Sequence, residues 1–317
     1  MHRLLRLGFI SLLASLSANS QVTMSASSAV DWSVTATAGL QYDSKTLLRA
    51  SSIPPSRYLY AQAASNGRRA DARAVATAGT QSFRIDAAAS ASAALVGSAT
   101  AGVVAHTALR LASPTPTPGF LEVRTSGTSY GGALARIVIR IGTQTPFSWS
   151  SGSVARTQRV PVIVDASGTM VVYLAITSDA TATFAMAAQQ SSIVADVRFV
   201  AEKCVAMPYE TSCQAAEASF VQTRTLEIRG TNSVPNGVGF SMVGFRESRT
   251  TIQYPGCYVL LDIQAIFAPY TMDANGNFAH RIPLPPANLR FRIQDAHLEA
   301  SLRDVRTSTA FEVACIP

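Results

Sequence analysis

Apolar and polar residues alternate along most of this chain. In residues 133–141 (ALARIVIRI), Ile137, Ile139 and Ile141 fall on one side and Arg136 and Arg140 on the other. A repeat of two puts successive side chains on opposite faces of a strand, so this run predicts a half-buried strand. Residues 32–42, 58–64, 103–111, 120–125, 159–164, 169–177, 180–188 and 191–200 follow the same rule. Prolines at 54–55 and 114–118 break the pattern, and 66–71 (NGRRAD) reads as a polar loop. Asp165-Ala166-Ser167-Gly168 reads as a hairpin turn joining its two flanking strands. The Ala/Ser tract at 87–101 is ambiguous. Alanine favours helix, but alternation with serine suits a strand facing a close neighbour. With β-like sequence on both sides, we read it as strand.

The last hundred residues continue in the same way. Strands are expected at 223–230, 238–245, 257–263, 277–282, 289–293, 296–302 and 310–315. In 257–263 both faces are apolar, which predicts a central strand covered on both sides. Many short strands at this spacing indicate an all-β fold of two antiparallel, jelly-roll-like β-sandwiches.

Residues 1–20 have the pattern of a secretory signal peptide. A basic start (His2, Arg3, Arg6) precedes a short apolar run at 7–16 and small residues at Ala18 and Ser20. The expected organisation is therefore a signal peptide at 1–20, an N-terminal sandwich at 22–200, a disulfide-bearing linker at 201–222 and a C-terminal sandwich at 223–317. No later segment is long and apolar enough to span a membrane as a helix.

Composition agrees with strands and turns. Only 14% of the 317 residues are charged, and much of the 48% hydrophobic share is alanine. The net charge is +7, almost all of it arginine, because Lys45 and Lys203 are the only lysines. That balance permits a polyanionic partner such as an acidic polysaccharide without demanding one. Export argues against nucleic acid.

The four cysteines, Cys204, Cys213, Cys257 and Cys315, all lie in the last third. An even count in an exported chain suggests two disulfides. Of the three possible pairings, closeness in sequence favours 204–213, leaving 257–315. The spacings fit no common zinc site.

Gly256-Cys257 opening a strand, an Asp273…Gly276 turn, a strand ending Ile282-Pro283 and Gln294 on a late strand form a series. In this series, residues 223–315 resemble a C-terminal module of secreted proteins from planctomycete-type and other GC-rich bacteria. The usual glycine shortly before the glutamine-bearing strand is replaced by Arg290 or Arg292. The resemblance implies an extracellular β-sandwich of undetermined role, with no catalytic residues to carry over.

Candidate chemistry is sparse. Asp273-Ala274-Asn275-Gly276-Asn277 starts like a calcium loop. Phe278 and Leu284 stand where the sixth-position glycine and twelfth-position glutamate belong, so a hairpin turn between two strands is the better reading. His297 and Glu299 would share one face of a strand, read as a solvated polar face. His106 reads as a hydrogen-bonded structural histidine. Asp262, Asp295 and Glu299 are the nearest candidates for paired carboxylates, and no Gly-x-Ser-x-Gly elbow is present. Trp32, Tyr58, Tyr60 and Trp149 form a candidate aromatic platform for sugar rings, with Arg68 and Arg69 beside it for acidic groups. No cofactor or metal is expected. The sequence reads as a secreted, non-catalytic structural, adhesive or glycan-binding protein with an extracellular or cell-surface polysaccharide as partner. The alternative is an extracellular carbohydrate-active hydrolase or lyase.

Overall fold

The structure is a computed structural model describing residues 22–26, 30–50, 56–93, 98–141, 144–150, 152–167, 170–183, 188–252, 256–267, 269–299 and 305–317. The signal-peptide reading of residues 1–20 lies outside these. Strands and turns account for the described chain, and no helix occurs among the described residues.

The first unit holds thirteen strands. They are β1 (Thr23–Ala26), β2 (Val30–Ala38), β3 (Gln41–Ala50), β4 (Ser56–Ser65), β5 (Arg68–Ala78), β6 (Ser82–Ala93), β7 (Ser98–Ala112), β8 (Thr117–Tyr130), β9 (Leu134–Ile141), β10 (Gln144–Ser150), β11 (Ser153–Val164), β12 (Met170–Thr183) and β13 (Gln189–Ala201). One sheet runs β10-β9-β12-β7-β2-β3, with β1 also beside β7; the other runs β11-β8-β13-β6-β5-β4. Across the core, β3 faces β4, β2 faces β5, β7 faces β6, β12 faces β13 and β9 faces β8. All of these pairs except β2 with β5 oppose neighbours in sequence, as in a jelly roll.

Alternation decides which residues enter this core. Alanine dominates where β2 and β7 face β4, β5 and β6: Ala36, Ala61, Ala72, Ala74, Ala89 and Ala101 are all buried. Larger residues fill the other half, among them Ile137, Ile139, Leu174, Ile176 and Ile193. The described parts of the Ala/Ser tract, 87–93 in β6 and 98–101 in β7, are strand, as the alternation predicts, with Ala87, Ala89, Ala91 and Ala93 facing inward.

Three local expectations are corrected. Residues 32–42 are not one strand, because Gly39 adopts a positive φ of 61° and turns β2 back into β3. The loop at 66–71 shrinks to Asn66-Gly67, both with positive φ, as a two-residue hairpin requires. The flanks of 165–168 do not form a hairpin: β11 pairs with β8 and β12 with β7 and β9, so the turn crosses between sheets.

The second unit holds eleven strands. They are β14 (Cys204–Thr211), β15 (Ala216–Gln222), β16 (Thr225–Gly230), β17 (Val238–Gly244), β18 (Glu247–Thr251), β19 (Tyr258–Leu261), β20 (Ala265–Ile266), β21 (Tyr270–Thr271), β22 (Phe278–Pro283), β23 (Leu289–Leu298) and β24 (Val305–Cys315). A large sheet, β14-β24-β23-β17-β20 with β21 also on β17, packs one face on the small sheet β15-β16-β22. Leu226, Ile228, Ile293, Phe311 and Val313 fill the space between. The β18–β19 hairpin covers the other face over Met242, Leu261 and Ala296.

This layering corrects the reading of 257–263, whose strand β19 lies in the covering hairpin. The centrally placed strand is β23, and its Gln294 fastens the cover. The buried Gln294 amide accepts from Leu260 N–H (2.9 Å) and donates to the carbonyls of Tyr258 (3.0 Å) and Ser308 (2.9 Å). The stretch 201–222, read as a linker, is built into this unit as β14 and β15.

The disulfide pairing also differs from the expected one. Cys204 bonds Cys315, and Cys213 bonds Cys257. Cys204 opens β14 and Cys213 lies two residues past its end at Thr211; the strand alone spans about 23 Å at a rise of ~3.3 Å per residue, far beyond disulfide reach. The antiparallel register of β14 on β24 instead sets Cys204 directly opposite Cys315. Cys213–Cys257 clips the covering hairpin to the body. A small apolar cluster, Ile163, Val205 and Ala314 with Phe120, joins the two units. Glu202 N–H donates across the junction to the Pro118 carbonyl (3.1 Å).

Candidate functional site

In the sheet that contains β4–β6, odd residues of β4 such as Leu59 and Ala61 turn into the core, so Tyr58 and Tyr60 turn outward. Their rings stack, 6.2 Å apart and 15° from parallel. The register carries one row outward across the sheet: Tyr60 opposite Arg73, then Ala88, Ser192, Thr128 and Ser153. Side chains stand off a sheet roughly at right angles. Small residues on the central strands therefore lower the surface between the tyrosines on one side and exposed Tyr130 on the other.

The result is a trough. One section of about 400 Å³ is lined by Tyr60, Asp71, Arg73, Ser90, Gln190 and Ser192. A second, of about 360 Å³, shares Thr128 and Ser192 and runs on to Ser153 and Ala155 on β11. Across six strands at ~4.8 Å spacing the trough is about 24 Å long.

Its polar groups are held in place. Tyr60 O–H donates to Asp71 Oδ1 (2.7 Å), and Arg69 Nε donates to Asp71 Oδ2 (2.7 Å). Partial burial pushes the Asp71 carboxyl up, but the hydrogen bonds from Arg69 and Tyr60 outweigh it and hold the carboxyl below its ordinary value. The same bond to Asp71 raises the Tyr60 hydroxyl. Arg73 makes no ion pair with a described residue, so its guanidinium is free to meet a ligand.

The structure divides the sequence-derived site residues. Tyr58, Tyr60 and Arg69 share the trough face. Trp32 does not: it is 1% exposed in the core, its indole N–H donating to the Thr107 hydroxyl (2.9 Å). Trp149 is half-buried on edge strand β10, its ring against the first core and beside Gly127. Arg68 has the opposite parity to Arg69 and packs over Gly39 at the β2–β3 turn. Sequence reading missed Ser90, Thr128, Gln190 and Ser192. The available signal was the Ala/Ser alternation, whose serines mark the outer face of β6.

The second unit buries a polar cluster instead. His297 is 0% exposed, not part of a solvated face, and β23 ends at Leu298 before exposed Glu299. His297 Nδ1 lies 2.5 Å from Gln214 Oε1, an acceptor, so Nδ1 carries the proton; Tyr270 O–H donates to Nε2 (2.9 Å). Burial lowers the His297 pKa to about 4, outweighing the opposing pull of the Asp295 charge, so the ring is neutral. Burial chiefly, and the Asp295 charge next, raise the Tyr270 hydroxyl.

Alongside it, His280 Nε2 donates to Asp295 Oδ2 (2.8 Å) and Ser241 O–H donates to Asp295 Oδ1 (2.6 Å). This Ser, His and Asp set lacks the order of a nucleophilic relay. There the serine donates to one imidazole nitrogen while the other meets the carboxylate. Here the nitrogen nearest Ser241, at 3.5 Å, is the one already bonded to Asp295. Ser241 and Asp295 are also 1% and 0% exposed. The cluster ties the large sheet to the small one through β22.

Two other acids that the sequence singled out are committed to backbone groups. Asp262 accepts from the N–H groups of Phe245 (2.9 Å) and Arg246 (2.7 Å). Asp273 accepts from the backbone N–H groups of Asn275 and Asn277, both at 2.8 Å, and from the Asn277 amide at 2.9 Å. These bonds make 273–277 a tight turn, with Gly276 at a φ of 73°. Its flanking strands β21 and β22 belong to different sheets, so it is not a hairpin. Among the described residues, no group of three or more His, Cys, Asp or Glu side chains is placed to hold a metal. Among them, too, no helix is long and apolar enough to cross a membrane. No protein-family model matches the chain, and no curated protein matches it.

Proposed function

We propose that this is a secreted, non-catalytic protein that binds a polysaccharide in the trough across the β4–β11 face. The carrying observation is the stacked Tyr58–Tyr60 pair at the end of a small-residue floor that spans six strands. A sugar's apolar ring face suits an aromatic surface. Its hydroxyls suit the donors and acceptors of Asp71, Arg73, Ser90 and Gln190. An open trough takes the interior of a long chain, whereas a closed pocket takes its end.

Two disulfides support an oxidising, extracellular setting. The non-catalytic reading is supported by the burial and hydrogen-bond order of Ser241, His280 and Asp295. We extend it to the second sandwich as a stabilising extracellular module, in keeping with the resemblance of residues 223–315.

The test is a glycan array probed with residues 22–317, with heat-treated protein as control, followed by calorimetric titration with cellohexaose, xylohexaose and mannohexaose. Binding of one of these that falls at least tenfold in Tyr58→Ala and Tyr60→Ala, with an unchanged melting temperature, is the expected result. Retention of no glycan, or affinity indifferent to both substitutions, would sink the proposal.

A further inference from the structure

The opposite outer face of the first sandwich carries a second constellation, independent of the trough. On β9, Ile137 and Ile139 turn into the core, so Arg136, Val138 and Arg140 turn outward. The register sets Tyr173, Ala175 and Thr177 of β12 opposite Arg140, Val138 and Arg136. His106 of β7 lies beyond Ala175. His106 is exposed rather than an enclosed structural histidine, and its ring tilts against Tyr173 at 6.1 Å. These side chains enclose a groove of about 490 Å³. That volume is in the usual range for small-ligand sites.

The two arginines carry the groove's charge. Several other outward arginines are matched to carboxylates: Arg124 and Arg198 to Glu122, Arg69 to Asp71, Arg281 to Glu227 and Arg290 to Glu312. Neither Arg136 nor Arg140 makes an ion pair with a described residue, and no acid lines the groove. The acids nearest in register are Asp31, opposite His106, and Asp179, opposite Leu134. Two like charges four residues apart on a strand, about 13 Å between backbone anchors, contribute nothing to the fold by themselves. Guanidinium forks match carboxylates in a bidentate geometry. Tyr173, opposite Arg140, offers a surface for a ring, with Ala175 beside it leaving the floor low.

We propose that this groove binds a uronate-bearing oligosaccharide, its carboxylates held by Arg136 and Arg140 and one sugar ring lying over Tyr173. The tetramer of galacturonate, titrated calorimetrically at low ionic strength, is the probe, with maltotetraose as the uncharged comparator. We expect tetragalacturonate binding that weakens at least tenfold in Arg136→Gln/Arg140→Gln and in Tyr173→Ala, weakens with added salt, and is unchanged in Tyr60→Ala. The substituted side chains are on the outer face, and tryptophan fluorescence checks that each variant is folded. Absence of tetragalacturonate binding, equal binding of maltotetraose, or binding unaffected by the double substitution overturns the assignment. So does an equal loss from Arg84→Gln on the opposite face, which would reduce the effect to net charge. Failure of the trough proposal would show instead in Tyr58→Ala and Tyr60→Ala, so the two can fail separately.

Discussion

The two sandwiches are built on opposite interiors. The first packs a seven-stranded sheet on a six-stranded one over an apolar core in which alanine brings one half of the sheets together and isoleucine, leucine and valine fill the other. The second has a smaller apolar core and places His280, Asp295, His297, Ser241 and Gln294 inside it or beside it. Small domains bury a smaller fraction of their surface and need other support. The second unit has it in two disulfides and a satisfied hydrogen-bond network; the first has neither cysteine nor buried histidine. The difference also separates their sensitivities: the first should respond to volume, the second to reduction and pH.

Removing the Cys204–Cys315 bond should have the largest effect. It joins residues 111 apart, and by loop entropy its loss in Cys204→Ser/Cys315→Ser should cost the second sandwich about 4–5 kcal/mol. Both tryptophans, Trp32 and Trp149, lie in the first sandwich, so their fluorescence reports that unit alone. Tyrosine near-ultraviolet circular dichroism follows both units. Denaturation should show the tryptophan transition in place and an earlier second one. A tryptophan transition that shifts equally would mean that the units unfold as one, and the comparison would break.

Acid comes next. The unfolded His297 ring protonates near pH 6.5, whereas the folded one stays neutral to about 4. Between those values the unfolded chain binds the extra proton. This contribution to stability is therefore complete above pH 6.5 and is lost as pH falls towards 4. At about 1.4 kcal/mol per pH unit, the loss is about 3 kcal/mol. Urea midpoints for the second sandwich at pH 7.5 and pH 4.5 check this. A difference no larger than that of the tryptophan transition would remove histidine burial as the distinction between the cores.

Volume should act the other way round. Ala89 is 2% exposed in the alanine half of the first core. Ala89→Leu should overpack it and cost about 1–3 kcal/mol in the tryptophan transition, leaving the second unchanged. If the variant is as stable as the parent, the alanine-lined half is looser than its geometry implies.

How much of this was legible follows from what alternation encodes. Residues 133–141 state both the strand and its buried face, because one residue in two must be apolar. The Ala/Ser tract gave strand for the same reason. Alternation says nothing of which strand lies beside which, so 165–168 read as a hairpin when it crosses between sheets. It also failed for the cysteines, since the partner of Cys204 is set by register on a strand over a hundred residues away. His297 read as exposed because a lone polar residue at an alternating position suits either face. Its burial depends on Gln214 and Tyr270, neither of them near in sequence. In the trough, the tyrosines were visible as aromatics, but the floor consists of Ser, Thr and Ala, which carry no signal one at a time.

The smallest effect tests the outer faces. Arg69 pairs with Asp71 at 2.7 Å, but its side chain is 61% exposed. Such a pair gains little in water and is screened by salt, so Arg69→Gln should change stability by less than about 0.5 kcal/mol. Glu227 in the second sandwich offers the contrast. Its side chain is 4% exposed and is held by Arg281 at 2.8 Å and by Arg229. Removing Arg281 leaves a covered carboxylate with one partner fewer, and its cost should exceed that of Arg69→Gln. Parallel denaturation of Arg69→Gln and Arg281→Gln, at low and high salt, measures the gap. Equal small losses would show that polar burial in the second unit stops at its core. A larger, salt-resistant loss in Arg281→Gln would extend it to the outer side of the small sheet, where Glu227 holds two arginines of neighbouring strands.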